Sequence, residues 1–183
     1  MTHIGIDPGS DGAIVIINNS GGIQGECFPK VGLEYDIRTM YKRFVEIRAL
    51  YKDLHVVLED VTTLQKPFDS GNWKLSASKH IIMTLLIACD IPHTLVSPKT
   101  WQKEMWEGVP EQRKPNKTVQ TKKGAVVKKG DMMTKEMSKL AALRLFPRFD
   151  MRDPNRKTER AQSLHDGVID ALLMAEYSRR KFN

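Results

Sequence analysis

Ile4-Gly5-Ile6-Asp7-Pro8-Gly9-Ser10-Asp11-Gly12-Ala13-Ile14-Val15-Ile16-Ile17 decides how the rest of the chain is read. An apolar run stops at an acid, a Pro-Gly-Ser-Asp-Gly turn follows, and a β-branched run begins at once. Branched side chains fit a pleated, half-buried surface, so both runs predict strands joined by a tight turn. A second turn, Asn18-Asn19-Ser20-Gly21-Gly22, leads into a third strand over 23–28. Three strands with only turns between them form an antiparallel meander.

Beyond the meander the pattern changes. Ile37, Met40, Tyr41, Phe44, Ile47 and Leu50 recur at helical spacing and predict a helix over 35–51. His55-Val56-Val57-Leu58-Glu59 is a buried strand that again ends in an acid. The stretch 73–89 is helical in its second half, where Ile81, Ile82, Leu85, Leu86 and Ala88 are dense, and a strand follows over 93–96. Ser97 and Pro98 supply the N-cap and first turn of a helix that runs through Trp106. Helices are expected over 134–146, where Pro147 stops the turn, and over 164–180. The order is that of an α/β protein built on a five-stranded mixed sheet, with three antiparallel strands, then parallel strands, and helices flanking them. There is no internal repeat, and 183 residues make one domain.

Composition excludes several classes. The 40% hydrophobic and 28% charged fractions are those of a globular protein, and no apolar run is long enough to span a membrane. The start Met1-Thr2-His3 carries no signal or transit pattern, which implies a cytoplasmic protein; an organelle protein trimmed of its transit peptide would read the same. Cys27 and Cys89 form no Cys-x-x-Cys pair, so neither zinc nor a disulfide framework is suggested. Cys89 lies in an apolar helical run and reads as a buried small hydrophobe.

The net charge of +7 is concentrated in one place. Between Gln112 and Gly130 stand Arg113, Lys114, Lys117, Lys122, Lys123, Lys128 and Lys129, with no acid among them. Without these seven, 22 basic residues face 22 acidic ones. A basic insertion at about 111–131 on a neutral body fits a polyanion partner, though a merely solvated lysine loop reads the same way. Residues 119–127 can pair as a hairpin turning at Lys123-Gly124, and the segment is expected to be poorly ordered without its polyanion partner.

The acids carry the chemistry. Asp7 and Glu59 each close a strand, where an α/β sheet presents its functional groups. Asp166 and Asp170 are four residues apart on the last helix, hence on one face, and like charges there repel unless a cation lies between them. Taken singly, Asp7 is a turn former, Glu59 a strand end, and the helix pair two solvated positions. Together they make an oxygen-rich pocket suited to Mg²⁺, with Mn²⁺ as a substitute. Two ions about 3.5–4 Å apart serve in-line displacement at phosphorus.

At this point the motifs resemble a known family. Gly5-Ile6-Asp7-Pro8-Gly9-Ser10 is similar to the opening motif of RuvC-type Holliday-junction resolvases, and Val57-Leu58-Glu59-Asp60 to their second, with Asp60 where Gln is common. Asp170-Ala171-Leu172-Leu173-Met174-Ala175 resembles their last motif. The stretch His165–Leu173 is nearest to phage and chloroplast members, which set two metal ligands four apart; bacterial members set them three apart, which would select Gly167. The resemblance runs from about Ile4 to Tyr177 and is weakest over the basic insertion.

It implies a ribonuclease H-like fold and a homodimer with one site per subunit. That dimer would cut four-way DNA junctions by symmetric metal-dependent nicking with Asp7, Glu59, Asp166 and Asp170. It implies phosphate contacts from Lys103 and Lys135, and an aromatic wedge at the crossover, for which Phe68 and Trp73 are the candidates. His165 either reaches the metal or attacking water or is a helix-end residue packed on the surface.

Three rivals remain in view. An actin-like ATPase needs two such domains, for which this chain is too short. Another ribonuclease H-like nuclease, acting on branched DNA, RNA–DNA hybrid or structured RNA, would keep the same acids. A non-catalytic junction-binding protein would lack magnesium-dependent nicking.

Overall fold

A computed structural model describes residues 1–61, 70–121, 124–153 and 163–182. Its elements run β1 (Thr2–Asp7), β2 (Ala13–Ile17), β3 (Ile23–Cys27), β4 (Lys30–Val31), β5 (Glu34–Tyr35), α1 (Ile37–Leu50) and β6 (Leu54–Glu59). There follow α2 (Ser70–Ala88), β7 (His93–Val96), α3 (Pro98–Met105), β8 (Lys117–Thr121), β9 (Gly124–Lys128), α4 (Thr134–Leu145) and α5 (Asp166–Lys181). The main sheet has the order β3-β2-β1-β6-β7. β2 pairs antiparallel with β1 and β3, while β1–β6 and β6–β7 are parallel, which is the mixed sheet expected.

The alternation of side chains divides the core in two. Ile4, Ile6, Ile14, Ile16, Val56 and Leu58 point to one face and pack with Met40, Phe44 and Ile47 of α1 and with Ile82 and Leu86 of α2. Ala13, Val15, Ile17 and Val57 point to the other and meet α3, α4 and α5. Asp7 shares the parity of Gly5, and Glu59 that of Val57, so both terminal acids belong to the α5 face. The parallel register pairs Gly5 with Val57 and Ile6 with Leu58, so the two strands reach their acids side by side.

α5 lies across β1 in the opposite direction. His3 Nδ1 is 3.1 Å from Ser178 Oγ at one end. In the middle, a Cβ on Gly5 would stand 2.0 Å from the Ala171 carbonyl oxygen and 2.4 Å from the Ala175 nitrogen. At the other end, a Cβ on Gly167 would stand 2.3 Å from the Asp11 carbonyl oxygen and 3.1 Å from Asp7 Oδ2. Two glycines thus let a helix backbone settle directly on a strand and its turn.

Some boundaries and one element differ from expectation. The short β4–β5 ladder has no counterpart in the sequence pattern, and Tyr35 belongs to it rather than to α1. α1 begins after Asp36, whose carboxylate accepts the Thr39 N–H at 3.1 Å. α5 starts at Asp166, after the N-cap His165. Cys89 is half-buried rather than buried. The hairpin expected over 119–127 is present and longer, pairing 117–121 with 124–128, so that Lys117 faces Lys128 and Thr121 faces Gly124.

Candidate metal-dependent active site

The first site residue is positioned by its own turn. Asp7 Oδ1 accepts the Gly9 N–H at 2.9 Å, and the Tyr35 hydroxyl donates to the Gly9 carbonyl, pinning the turn to β5. Burial, and then the charge of Glu59, push the Asp7 carboxyl up to about 7. The Gly9 bond, which favours the charged form, offsets only part of this.

Glu59 accepts the indole N–H of Trp101 at 3.1 Å. Trp101 is fully buried in α3, so this donor is fixed by packing. Burial and the charge of Asp170 still hold Glu59 at about 7. Its neighbour Asp60, the departure from the family motif, is neutralised by Lys79 of α2 at 2.9 Å.

Asp170 sits one turn into α5. Burial and the charge of Asp7 raise its carboxyl to about 7, with the Ser138 hydroxyl of α4 acting the other way. Its Oδ1 is buried without a hydrogen-bond partner among the described residues. Asp166, one turn earlier, is exposed, and its Oδ2 takes the Lys135 ammonium at 2.5 Å. Its charge contributes to the raised values of both Asp7 and Asp170. Asp7, Asp166, Asp170 and Lys135 line one cleft of about 400 Å³, together with Asp11, Asp153 and His165.

The structure therefore brings all four acids into mutual electrostatic range, with Glu59 coupled through Asp7 and Asp170. Three carboxylates in low-dielectric surroundings repel one another, and an unpaired buried oxygen is costly. Hard oxygen donors, excess negative charge and an unsatisfied lone pair are what a Mg²⁺-class cation satisfies. The residues present fit such an ion.

The other candidates are distributed differently. Lys135 reaches the acids. Lys103 is exposed on α3 and is not among the described residues lining the cleft. Lys114, Lys117 and Lys128 are exposed on or beside the hairpin, and Lys122 and Lys123 lie outside the described residues. Arg113 is turned inward: it pairs with Glu111 at 2.7 Å and donates to the Gly130 carbonyl at 3.1 Å, so it braces the hairpin's base. Lys129 shares Glu111 at 3.2 Å. Phe68 lies outside the described residues, and Trp73 falls within the α2 span.

His165 corrects a surface expectation. It is buried, caps α5 by accepting the Val168 N–H at 3.3 Å, and lies 3.7 Å from Cys27 Sγ through its Nε2. Trp101, Tyr35 and Ser138 join the site without having been expected there. A tryptophan three residues after Pro98 in a short helix is the one sequence signal for the first; the other two are tertiary contacts without a local pattern.

No protein-family model matches the chain, and no curated protein matches it. Solved structures do. The chain is similar to T. thermophilus RuvC in complex with Holliday junction substrate, with 13% identity, coverage of 100% of this chain and 97% of that one, and a TM-score of 0.57. A second structure of Thermus thermophilus RuvC aligns at 14% identity over 98% and 96% of the two chains, with a TM-score of 0.49. The chain has a RuvC-like form of the ribonuclease H-like fold.

Proposed function

We propose that this protein is a structure-specific DNA endonuclease that resolves four-way junctions by divalent-metal-dependent nicking. The observation that carries the reading is the half-buried, mutually repelling set Asp7, Glu59 and Asp170, with one buried Asp170 oxygen left without a partner among the described residues. Asp7, Glu59, Asp166 and Asp170 would hold Mg²⁺, or Mn²⁺ in its place, as two ions per site. When bound, the metal supplies Lewis acidity at phosphorus and acidifies the attacking water.

The chain's own groups set the geometry. The Gly9 N–H and the Trp101 indole aim the carboxylates of Asp7 and Glu59. Lys135, at the cleft, shields Asp166 and is placed to meet a phosphate. The hairpin lysines Lys117, Lys128 and Lys129, with Lys114 and Lys103, track the DNA backbone. The functional unit is a homodimer with one site per subunit, its two-fold axis matching that of the junction. The whole chain acts as a single domain, and no helix among the described residues is long and apolar enough to cross a membrane.

The test is a panel of labelled four-way junction, linear duplex and RNA–DNA hybrid, each incubated with Mg²⁺ or with EDTA. Paired nicks in the junction alone, abolished by EDTA and by Asp7→Asn while junction binding persists, are expected. Efficient cutting of the hybrid with the junction intact points to a ribonuclease of the same fold. Junction binding without any magnesium-dependent cutting points to a binding protein.

A further inference from the structure

Beside the acids, three side chains of softer chemistry converge. Cys27 ends β3, Asp153 follows α4 by eight residues, and His165 caps α5. One ligand atom from each, a sulfur, a carboxylate oxygen and an imidazole nitrogen, all lie within 4.8 Å of one another. Asp153 and His165 are buried and Cys27 is half-buried.

Distance and donor type agree on one class of ion. Tetrahedral zinc, with Zn–S of about 2.3 Å and Zn–N of about 2.0–2.1 Å, sets sulfur and nitrogen roughly 3.6 Å apart. Cys27 Sγ is 3.7 Å from His165 Nε2. A thiolate selects zinc-like ions over magnesium, whereas the neighbouring carboxylate site offers no sulfur.

We propose that Cys27, Asp153 and His165 form a second metal site, for Zn²⁺ or a similarly borderline-soft divalent ion, adjoining the all-oxygen site, whose cleft Asp153 and His165 also line. Its three protein ligands leave a fourth position open. All three line a cleft of about 580 Å³ through which water or an ion enters. Binding releases the thiol proton. It also changes the helix cap. Nδ1 of His165 now accepts the Val168 N–H at a long 3.3 Å, and coordination through Nε2 moves the ring proton to Nδ1 and ends that cap.

The site joins β3, the segment after α4 and the first turn of α5, whose next residue is Asp166. Its occupancy therefore fixes where α5 starts on the sheet. This positional effect rests on the nuclease reading, but the site itself does not.

Co²⁺ is the probe, because thiolate ligation gives it a near-ultraviolet charge-transfer band that oxygen ligation does not. Metal-stripped full-length protein is titrated with Co²⁺ in the absence of DNA. One equivalent per chain should develop the band, Zn²⁺ should displace it, and Asp7→Asn should retain it. Cys27→Ser should lose it despite the intact Cys89. Asp153→Asn, which preserves shape should the serine variant fail to fold, should weaken binding about tenfold or more, since even outer-shell partners are worth 10–100-fold. Absence of a charge-transfer band in the native protein, or a band that survives Cys27→Ser, overturns the proposal. Neither result depends on nuclease activity.

Discussion

Gly5 of β1 lies against the Ala171 carbonyl of α5 so closely that a Cβ at Gly5 would stand 2.0 Å from that oxygen. The approach is backbone to backbone, with no flexible side chain to yield. It sets the height of α5 above the sheet and, one residue before Ala171, the height of Asp170 above Asp7.

Gly5→Ala is therefore expected to destabilise the fold by on the order of 3 kcal/mol or more, in the range of severe overpacking. Thermal melting measures this. Gly167→Ala acts at the site end, where the added carbon meets the Asp11 carbonyl oxygen and Asp7 Oδ2. There the loss of nicking should exceed what the change in melting temperature explains.

The acids make stability depend on pH in a definite direction. Asp7, Glu59 and Asp170 each stand at about 7 in the folded protein, against about 4 for unfolded carboxylates. Between those values the folded chain binds more protons than the unfolded one, so stability falls as pH rises, and the loss is complete above the folded values. Metal-free protein should melt higher at about pH 5 than at about pH 8. Asp170→Asn should raise the melting temperature at the upper pH, by roughly 2–4 °C for each kcal/mol of repulsion removed. Added Mg²⁺ should stabilise the native protein most at that same pH, since it competes with protons for these groups.

Trp101→Phe isolates one hydrogen bond. It removes the donor that favours ionised Glu59. Losing a bond worth about 1 kcal/mol moves the pH midpoint of magnesium-dependent nicking upward by about 0.7 unit. A pH–rate profile reads this apart from the packing loss, which appears in the melting curve alone.

The hairpin lysines should act through salt. Replacing Lys117, Lys128 and Lys129 with Ala should flatten the log–log salt dependence of junction binding by about 0.9 for each phosphate no longer neutralised. Arg113→Ala should instead loosen the hairpin, since its guanidinium is engaged by Glu111 and the Gly130 carbonyl. An Arg113 variant with unchanged hairpin protection in hydrogen exchange would contradict that division.

Much of this is legible in sequence because it is local. Period-two alternation places Asp7 and Glu59 at strand ends, and spacing of four puts Asp166 and Asp170 on one helical face. The β1–β6 neighbour relation that unites them is a tertiary fact, seen in the register. Gly5 reads as a mere strand residue because the helix that needs it lies more than 160 residues away. Trp101 shows little local sign of its role because Glu59, which it meets, stands 42 residues earlier. Cys27 has no metal-binding pattern in its own neighbourhood, because Asp153 and His165 reach it only through the fold. Arg113 looks like one more cation in a basic run, and only the paired hairpin shows it facing Glu111.

The site's central geometry is tested most directly by anomalous scattering from crystals grown with Mn²⁺ at alkaline pH. An anomalous peak within bonding distance of Asp7 and Asp170 oxygens in the native protein, missing from Asp170→Asn crystals, is the expected result. Well-ordered native crystals with both carboxylates in place and no peak between them would contradict it.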